Sequence, residues 1–478
     1  MSNDSLILTF DQGTTRSKVA LFTLTGENID QVTTRNEEFS DSHGRWQSAV
    51  SWWQGATSAC RELLHKNSID PARVVICSVT GRAGAGVFVD ANDNVIYQPW
   101  LDQRHATQLN HLLKDFSDLP LYAATLLAKI QWVRDNDITV YNKLRFAMYA
   151  KDYLVYKLTG NSITDPSSGP DALNWPEEVL RSLGIDQDLL PQPMLPWDIA
   201  GALTHSAAHS LGLPEGLPVT VGAHDGICAN TGAGVIEEGE FALTLGTHGV
   251  TRTVLQNEPP VEANRFYCYP PDKHVIGANA LMAGRSLDWF LDQTTDQLQV
   301  RSVLFHDMDA FVEKAAPGAA GISFFPYLSG QISPTLNRSR QATFHNSGNT
   351  SSQFSRYQAV LEGASFAIAE SFDQVTKWTN PPNIISVTGS GANSLVWVQI
   401  LANILNSDLQ VTDAASEGRG AAVFAALAMG EYDSLDQAIK QMVKVSKVVS
   451  PDPLKTGIYR ELFTKWQRLN EQVAKQET

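Results

Sequence analysis

Asp11-Gln12-Gly13-Thr14-Thr15-Arg16-Ser17-Lys18 is a polar turn set between apolar runs. Glycine lets a backbone approach a phosphate closely. Threonine hydroxyls and turn N–H groups donate to phosphate oxygens. Asp11, at the end of an apolar run, suits Mg²⁺, directly or through water. An ordinary hairpin turn would explain this stretch alone. A second stretch, Glu240 to Val254, repeats the pattern around Gly246-Thr247, and the repetition favours phosphate.

Gly222-Ala223-His224-Asp225-Gly226 follows a short apolar run. An aspartate at the C-terminal end of a strand in an α/β protein is where reacting groups sit. Phosphoryl transfer to an alcohol needs a group to accept the hydroxyl proton, and a carboxylate within hydrogen-bond reach does this. Aspartate is also a favoured helix cap. The two readings are compatible, and the local sequence alone favours the cap. Thr388-Gly389-Ser390-Gly391-Ala392-Asn393 has the form of a strand running through Gly-x-Gly into a helix, which is either a nucleotide platform or a structural turn. Arg82-Ala83-Gly84, followed by Trp100 and Asp102, offers an apolar face and hydroxyl-binding groups for a sugar; a buried Trp beside a structural Asp102–Arg104 pair is the other reading.

Other chemistries are excluded. No Gly-x-x-x-x-Gly-Lys-Ser/Thr, His-Glu-x-x-His or Gly-x-Ser-x-Gly occurs, and no Gly-x-Gly-x-x-Gly follows a strand. The chain has 478 residues, enough for two or three domains, and its 43% hydrophobic and 18% charged content is ordinary for a globular protein. A net charge of −15 opposes nucleic acid and anionic membranes as partners. It does not oppose ATP, where backbone N–H groups and a metal ion dominate locally. Cys60, Cys77, Cys228 and Cys268 form no CxxC pair, so reduced cysteines in a cytoplasmic protein are expected. No apolar stretch reaches the roughly 18–20 residues of a membrane span, and the first residues lack the basic region of a signal peptide.

The elements that must position these residues read as α/β. Strands are expected at Leu6–Phe10, Lys18–Thr23, Arg73–Val79, Gly86–Val89, Val219–Gly222 and Asn383–Val387. Helices are expected at Trp46–Leu64, at Leu119–Val133 with Asp118 as cap, at Tyr357–Lys377, at Asn393–Leu405 from the Gly-x-Gly turn, and at Gly420–Met429. The last twenty residues read as an exposed helix, and a domain boundary is expected near residue 240.

Taken in order, these motifs resemble the FGGY family of carbohydrate kinases. Asp11 to Thr15 resembles its N-terminal phosphate motif, and Lys129 to Asn136 part of a family signature. Lys151-Asp152-Tyr153-Leu154, with Thr164-Asp165, matches a family block. Gly222–Gly234 resembles the segment with the catalytic aspartate, and Ala283 to Trp289 a nucleotide-contacting helix. Leu361 to Phe366 and Ser390 to Gln399 complete the series. The resemblance implies an α/β protein of two actin-like, ribonuclease-H-like domains, 1–240 on the sugar side and 241–478 on the nucleotide side, with an interdomain active-site cleft. It implies ATP-dependent phosphorylation of a primary hydroxyl of a small carbohydrate, sugar acid or polyol, with Asp225 as general base. ATP contacts would come from Asp11, Gly13, Thr14, Thr15, Lys18, Gly246, Thr247, Gly284, Asp288, Gly391 and Ala392. Substrate contacts would come from Arg82, Ala83, Trp100, Asp102 and Asp225. Asp11 and Asp225 would lie near Mg²⁺, and a homodimer is the family-based expectation.

The chain departs from relatives in places. Ketopentose-directed members show Gln-Met-His-Gly at Arg82 to Ala85. Glycerol kinases show Arg-Glu at Ala83 and Gly84, and Gln at Gly226. His248 stands where serine is common. These differences disfavour glycerol and also a standard xylulose kinase, and Arg82 suits a substrate carboxylate or distal hydroxyl. An actin-like ATPase acting on proteins fits the paired hairpins equally well, but not the block around Arg82; a silent sugar sensor is opposed by the intact Asp225.

Overall fold

The computed structural model describes residues 4–41, 44–84, 86–97, 104–260, 263, 265–280, 282–294, 298–328, 330–331, 337, 339–348, 351–412 and 415–476. They form two compact units. The first comprises Met1–Gly234, Tyr267–Lys273 and Ser416–Val443; the second comprises Val235–Phe266, His274–Ala415 and Lys444–Thr478.

In the first unit the sheet contains β1 (Leu6–Gln12), β2 (Arg16–Thr23), β3 (Asn28–Arg35), β4 (Val74–Gly81), β5 (Ile199–Ala202), β6 (Pro218–Thr220) and β7 (Ala223–His224). Its order is β5-β6-β4-β1-β2-β3, with β7 pairing with β4 beyond β6. β1, β2 and β3 form an antiparallel meander, and β4 and β6 continue it in parallel. Every residue of β1 is buried, as expected of a strand covered on both faces. Leu6, Leu8 and Phe10 share a core with Ala56, Cys60 and Leu63 of helix α1 (Ala49–Lys66). The expected start of α1 at Trp46 is displaced because 44–47 pairs as a strand with 38–41, and Ser48 caps the helix by accepting from the Ser51 amide. Helix α2 (Leu121–Asn136) has Pro120 at its cap position and no side-chain cap bond, so Asp118 is not the cap. Proline fixes the entry instead, having no N–H to satisfy. Helix α3 (Ala150–Thr159) follows, and α4 (Asp225–Gly232) leaves the end of β7.

The second unit repeats the plan. β8 (Glu240–Leu245), β9 (Gly249–Leu255) and β10 (Lys273–Ala280) are an antiparallel meander. β11 (Ile384–Thr388) and β12 (Leu409–Thr412) extend it in parallel from β8, and β13 (Val445–Val449) closes it antiparallel, as β5 closes the first sheet. Helix α5 (Ala283–Asp292) follows the meander. Helix α6 (Gln353–Val375) buries Val360, Leu361, Ala364, Ile368, Phe372 and Val375, the stripe expected from helical spacing. After β11, Ser390–Asn393 is a short 3₁₀ turn, and α7 (Leu395–Leu405) starts only after Ser394, whose hydroxyl accepts from the Trp397 amide.

Helix α8 (Ser416–Ala428) belongs to the first unit and packs across α4, β1 and β4. Its approach to α4 depends on two glycines. A Cβ on Gly232 would stand 1.9 Å from the Ser416 carbonyl oxygen, and one on Gly420 would stand 2.0 Å from the Cys228 carbonyl oxygen. Helix α9 (Pro453–Gln476) is the terminal helix expected, largely exposed but docked through one buried stripe. Tyr459, Trp466 and Asn470 are buried; the Trp466 indole donates to the Phe324 carbonyl at 2.9 Å and the Asn470 amide to the Tyr327 hydroxyl at 2.8 Å. Among the described residues no helix is long and apolar enough to cross a membrane.

The α4–α8 contact generates the first prediction. Gly420→Val forces the two helices apart and lowers unfolding free energy by about 1–3 kcal/mol or more, as overpacking does. Urea titration followed by tryptophan fluorescence measures this; an unchanged midpoint would show that the contact is not tight.

Candidate functional site

Three neighbouring strand ends share one level of the first sheet. Gln12 of β1 pairs with Gly81 of β4, and Gly81 pairs in turn with His224 of β7. The next residues, Gly13, Arg82 and Asp225, therefore leave the sheet side by side at its C-terminal edge. The Arg82 amide confirms the approach by donating to the Gln12 carbonyl at 3.1 Å. Gly222 makes the pairing of β7 with β4 available: its φ is +66°, and a Cβ there would lie 1.6 Å from the Val79 carbonyl oxygen. No other residue fits.

The first hairpin tip is held from behind. Asn36 Nδ2 donates to the carbonyls of Gly13 at 3.0 Å and Thr14 at 3.3 Å, Gln47 Nε2 donates to that of Thr14 at 2.7 Å, and the Asn36 amide donates to that of Thr15 at 3.0 Å. In a trans peptide each C=O opposes the next N–H. Turning these carbonyls toward Asn36 and Gln47 turns the amides of Thr14, Thr15 and Arg16 the other way, as an anion cradle requires. A Cβ on Gly13 would lie 2.7 Å from the Arg16 carbonyl oxygen, so the turn needs glycine. Arg82 Nη1 donates to the Thr14 hydroxyl at 2.6 Å, which ties Arg82 to this hairpin. Ala83 is buried, so its methyl faces the core. Trp100 and Asp102 lie outside the described residues.

Asp11 and Lys18 are register partners on β1 and β2, with Lys18 Nζ 3.1 Å from Asp11 Oδ2 and 3.8 Å from Glu417 Oε2 of α8. Burial pushes the Asp11 carboxyl up to about 6; Lys18 pulls it back, while Glu417 and Asp225 add to the rise. Lys18 is held above its ordinary value by Asp11 and Glu417, against the effect of burial. Two carboxylates thus lie within 4 Å of one lysine, with Asp225 close enough to act electrostatically on both Asp11 and Lys18, and all three supply hard oxygen donors. That donor chemistry fits Mg²⁺, which binds through one or two carboxylates together with substrate phosphates. Among the described residues no group of three or more such side chains could hold a metal ion by itself.

Asp225 is the first residue of α4, and its side chain keeps 33% exposure in otherwise buried surroundings. The turn before it is bonded on both flanks. The Val221 amide donates to the Asp198 carbonyl, the Gly222 amide to the Pro196 carbonyl, and the Thr80 hydroxyl to the Ala223 carbonyl. Lys151 Nζ donates to the Val221 carbonyl at 3.1 Å and pairs with Asp152 at 2.9 Å and Asp165 at 3.4 Å, all three side chains fully buried. Burial disfavours the Lys151 charge, but the two aspartates outweigh it and raise its pKa. Asp165 accepts from the Ser167 hydroxyl, whose oxygen accepts from the His224 amide at 3.2 Å.

The helix-cap reading of Asp225 is corrected by one residue: His224 is the cap, and its Nδ1 accepts from the Gly226 amide at 3.0 Å. The His224 ring lies between Tyr122, at 5.3 Å, and Tyr267, at 4.6 Å. A Cβ on Gly226 would stand 1.9 Å from the Tyr267 hydroxyl oxygen. This accounts for glycine after Asp225: a tyrosine fills the room a side chain would need. Asn36, Gln47, Glu417, His224, Tyr122 and Tyr267 were absent from the residues expected from sequence. Only His224 had a local signal, its place beside Asp225.

In the second unit the α5 amides of Gly284 and Arg285 donate to the carbonyls of Gly246 and Thr247 at 2.9 and 3.2 Å. A Cβ on Gly284 would lie 2.5 Å from the Gly246 carbonyl oxygen. Gly389, at φ +92°, and Gly391 both press on Leu245, where a Cβ would lie 2.7 and 2.9 Å from its carbonyl oxygen. The hairpin tip, the start of α5 and the Gly-x-Gly turn therefore converge. Thr247 and Asp288 are exposed there, whereas Ala392 puts its methyl in the core.

Family models support the same reading. The N-terminal domain of the FGGY family of carbohydrate kinases matches residues 6–232, and its C-terminal domain matches residues 242–429. The chain is 25% identical over 481 residues to a xylulose kinase of Staphylococcus xylosus, covering 96% of this chain and 98% of that one. It is 26% identical over 466 residues to a gluconokinase of Bacillus subtilis, covering 92% and 90%. The fold matches the ligand-bound xylulose kinase from Lactobacillus acidophilus with a TM-score of 0.83 at 21% identity, and the gluconate kinase of that organism with 0.82 at 22%, each over 98% of both chains. With both halves of the domain pair matched in order and the doubled sheet plan present, the chain belongs to the FGGY family of carbohydrate kinases.

Proposed function

We propose that this kinase transfers the γ-phosphoryl group of ATP to a primary hydroxyl of a sugar, sugar acid or polyol, with Asp225 as general base. The observation that carries the reading is the shared level of Gly13, Arg82 and Asp225, which puts a part-exposed carboxylate beside a phosphate-type hairpin. Asp225 takes the proton of the acceptor hydroxyl as its oxygen bonds to the γ-phosphorus; the bond from that phosphorus to the bridging oxygen breaks, and ADP leaves with the electron pair. Gly13, Thr14, Thr15 and Lys18 hold phosphate oxygens from the first hairpin, and Gly246 and Thr247 do so from the second. Gly284, Asp288 and the backbone at Gly391 and Ala392 serve the nucleoside. Asp11 and Asp225 would lie near the Mg²⁺, with Asp11 as the ligand, and the ion would supply charge neutralisation for the phosphates.

The xylulose kinase and gluconokinase relatives support a ketose or an aldonate as acceptor, and Arg82 favours a negatively charged or hydroxyl-rich one. Gly226 and Tyr267 weigh against glycerol, since residue 226 has no side chain to offer it. The four cysteines are free and buried, which suits a reducing cytoplasm. Membership of a carbohydrate kinase family favours this reading over an ATPase acting on proteins or a silent sensor.

Asp225→Asn lowers kcat about 10²–10⁴-fold, the usual share of a general base, while ATP affinity by calorimetry stays within about threefold because the hairpins are untouched. The assay is coupled ADP release over pentuloses, hexuloses, polyols and aldonates, and near-normal turnover in this variant would remove Asp225 from the role. Gly226→Ala, in turn, destabilises the protein, and adding Tyr267→Ala recovers much of the loss, since the two side chains compete for one space. A double-mutant cycle read by thermal melting should give a coupling of about 0.5–3 kcal/mol, as for residues in contact; strict additivity would refute the competition.

A further inference from the structure

His224 has two ring nitrogens and two separate neighbours. Nδ1 accepts the Gly226 amide hydrogen. A neutral imidazole has one acceptor and one donor nitrogen, so accepting at Nδ1 places the hydrogen on Nε2. Nε2 lies 3.3 Å from Asp225 Oδ1. The ring cannot readily turn away, because Tyr122 and Tyr267 flank it and the side chain is 93% buried. Its backbone is fixed as well, through Ser167 and Asp165 to Lys151.

We propose that His224 is a positioning residue for the base: its Nε2–H holds Asp225 Oδ1 and so fixes the orientation of the carboxylate that takes the acceptor proton. The inference rests on Asp225 being the base. One imidazole thus does two jobs. It caps α4 with one nitrogen and aims the first residue of α4 with the other. A carboxylate free to rotate would spend much of its time with neither oxygen on the hydroxyl, and misplacement by an ångström is costly in phosphoryl transfer. Tyr267, which forecloses a side chain at 226, also supports the ring that does the aiming.

Two substitutions separate the jobs. In His224→Asn the side-chain oxygen replaces Nδ1 as cap acceptor, but nothing reaches Asp225. In His224→Gln the amide nitrogen replaces Nε2 as donor to Asp225, but the cap is lost. His224→Asn should melt close to the wild type yet lose about tenfold to a hundredfold in kcat, as misaligned catalytic groups do, with KM for ATP and for the acceptor nearly unchanged. His224→Gln should melt lower yet keep a kcat clearly above that of His224→Asn. Both are measured by ADP release with the most active acceptor of a panel containing D-xylulose and D-gluconate. Wild-type kcat in His224→Asn overturns the proposal, as does a kcat that follows melting temperature in both variants. Asp225→Asn is assayed alongside. If it is inactive while His224→Asn is fully active, only the positioning role falls; if it turns over normally, the base assignment and this inference fall together.

Discussion

The hydrogen-bond register between β4 and its neighbours β1 and β7 is the constraint on which the candidate site depends. Parallel pairing sets Gln12, Gly81 and His224 at one level, and the three following residues inherit that alignment. A slip of one residue would reverse every side chain on the slipped strand. Asp11 would then turn away from Glu417, and β1 would lose the face that carries Leu6, Leu8 and Phe10 against α1. The apolar core therefore fixes the chemistry: the same alternation that buries these side chains presents Asp11 on the opposite face with Thr9, next to α8.

Burying so much charge beside a reaction centre is costly unless each charge is compensated. The first unit does this in separate groups. Lys151 satisfies Asp152, Asp165 and the Val221 carbonyl, and this closed set holds the turn that leads to Asp225. Lys18 pairs with Asp11 across the hairpin and approaches Glu417. Each group thus holds more carboxylates than lysines, and what separates them is access: the Lys151 group is fully buried, whereas the Lys18 and Asp225 side chains each keep about a third of their surface exposed.

Much of the plan was legible in the sequence because its signals are local. A Gly-Thr turn between apolar runs identifies both hairpins, and an aspartate at a strand end identifies Asp225. What escaped was contributed from afar. Tyr267 and Glu417 reach the first unit from chain segments far along the sequence, and no pattern around Asp225 announces them. Asn36 and Gln47 are ordinary polar residues until the hairpin carbonyls turn toward them. Local reading also erred where a neighbour overrode it. Asp118 looked like a cap, but Pro120 sets the helix entry. The terminal helix looked polar enough for solvent and is largely exposed, but its Trp466 is packed against Phe325 and Phe366. Gly284 and Gly391 were legible as motif residues, yet the structure also gives each a packing reason, a backbone that comes too close for any side chain.

The same distinction explains why Asp225 stands at the start of a helix rather than inside one. A carboxylate at a helix N-terminus faces amides that the helix itself leaves unpaired, and the proposed base stands there. Yet a carboxylate that accepted those amides itself would spend its lone pairs on the helix. Giving the cap to His224 eases that competition: the Gly226 amide goes to Nδ1 rather than to Asp225. Glycine at 226 then becomes a consequence, since the imidazole that caps α4 needs Tyr267 against it and Tyr267 leaves no space for a side chain there.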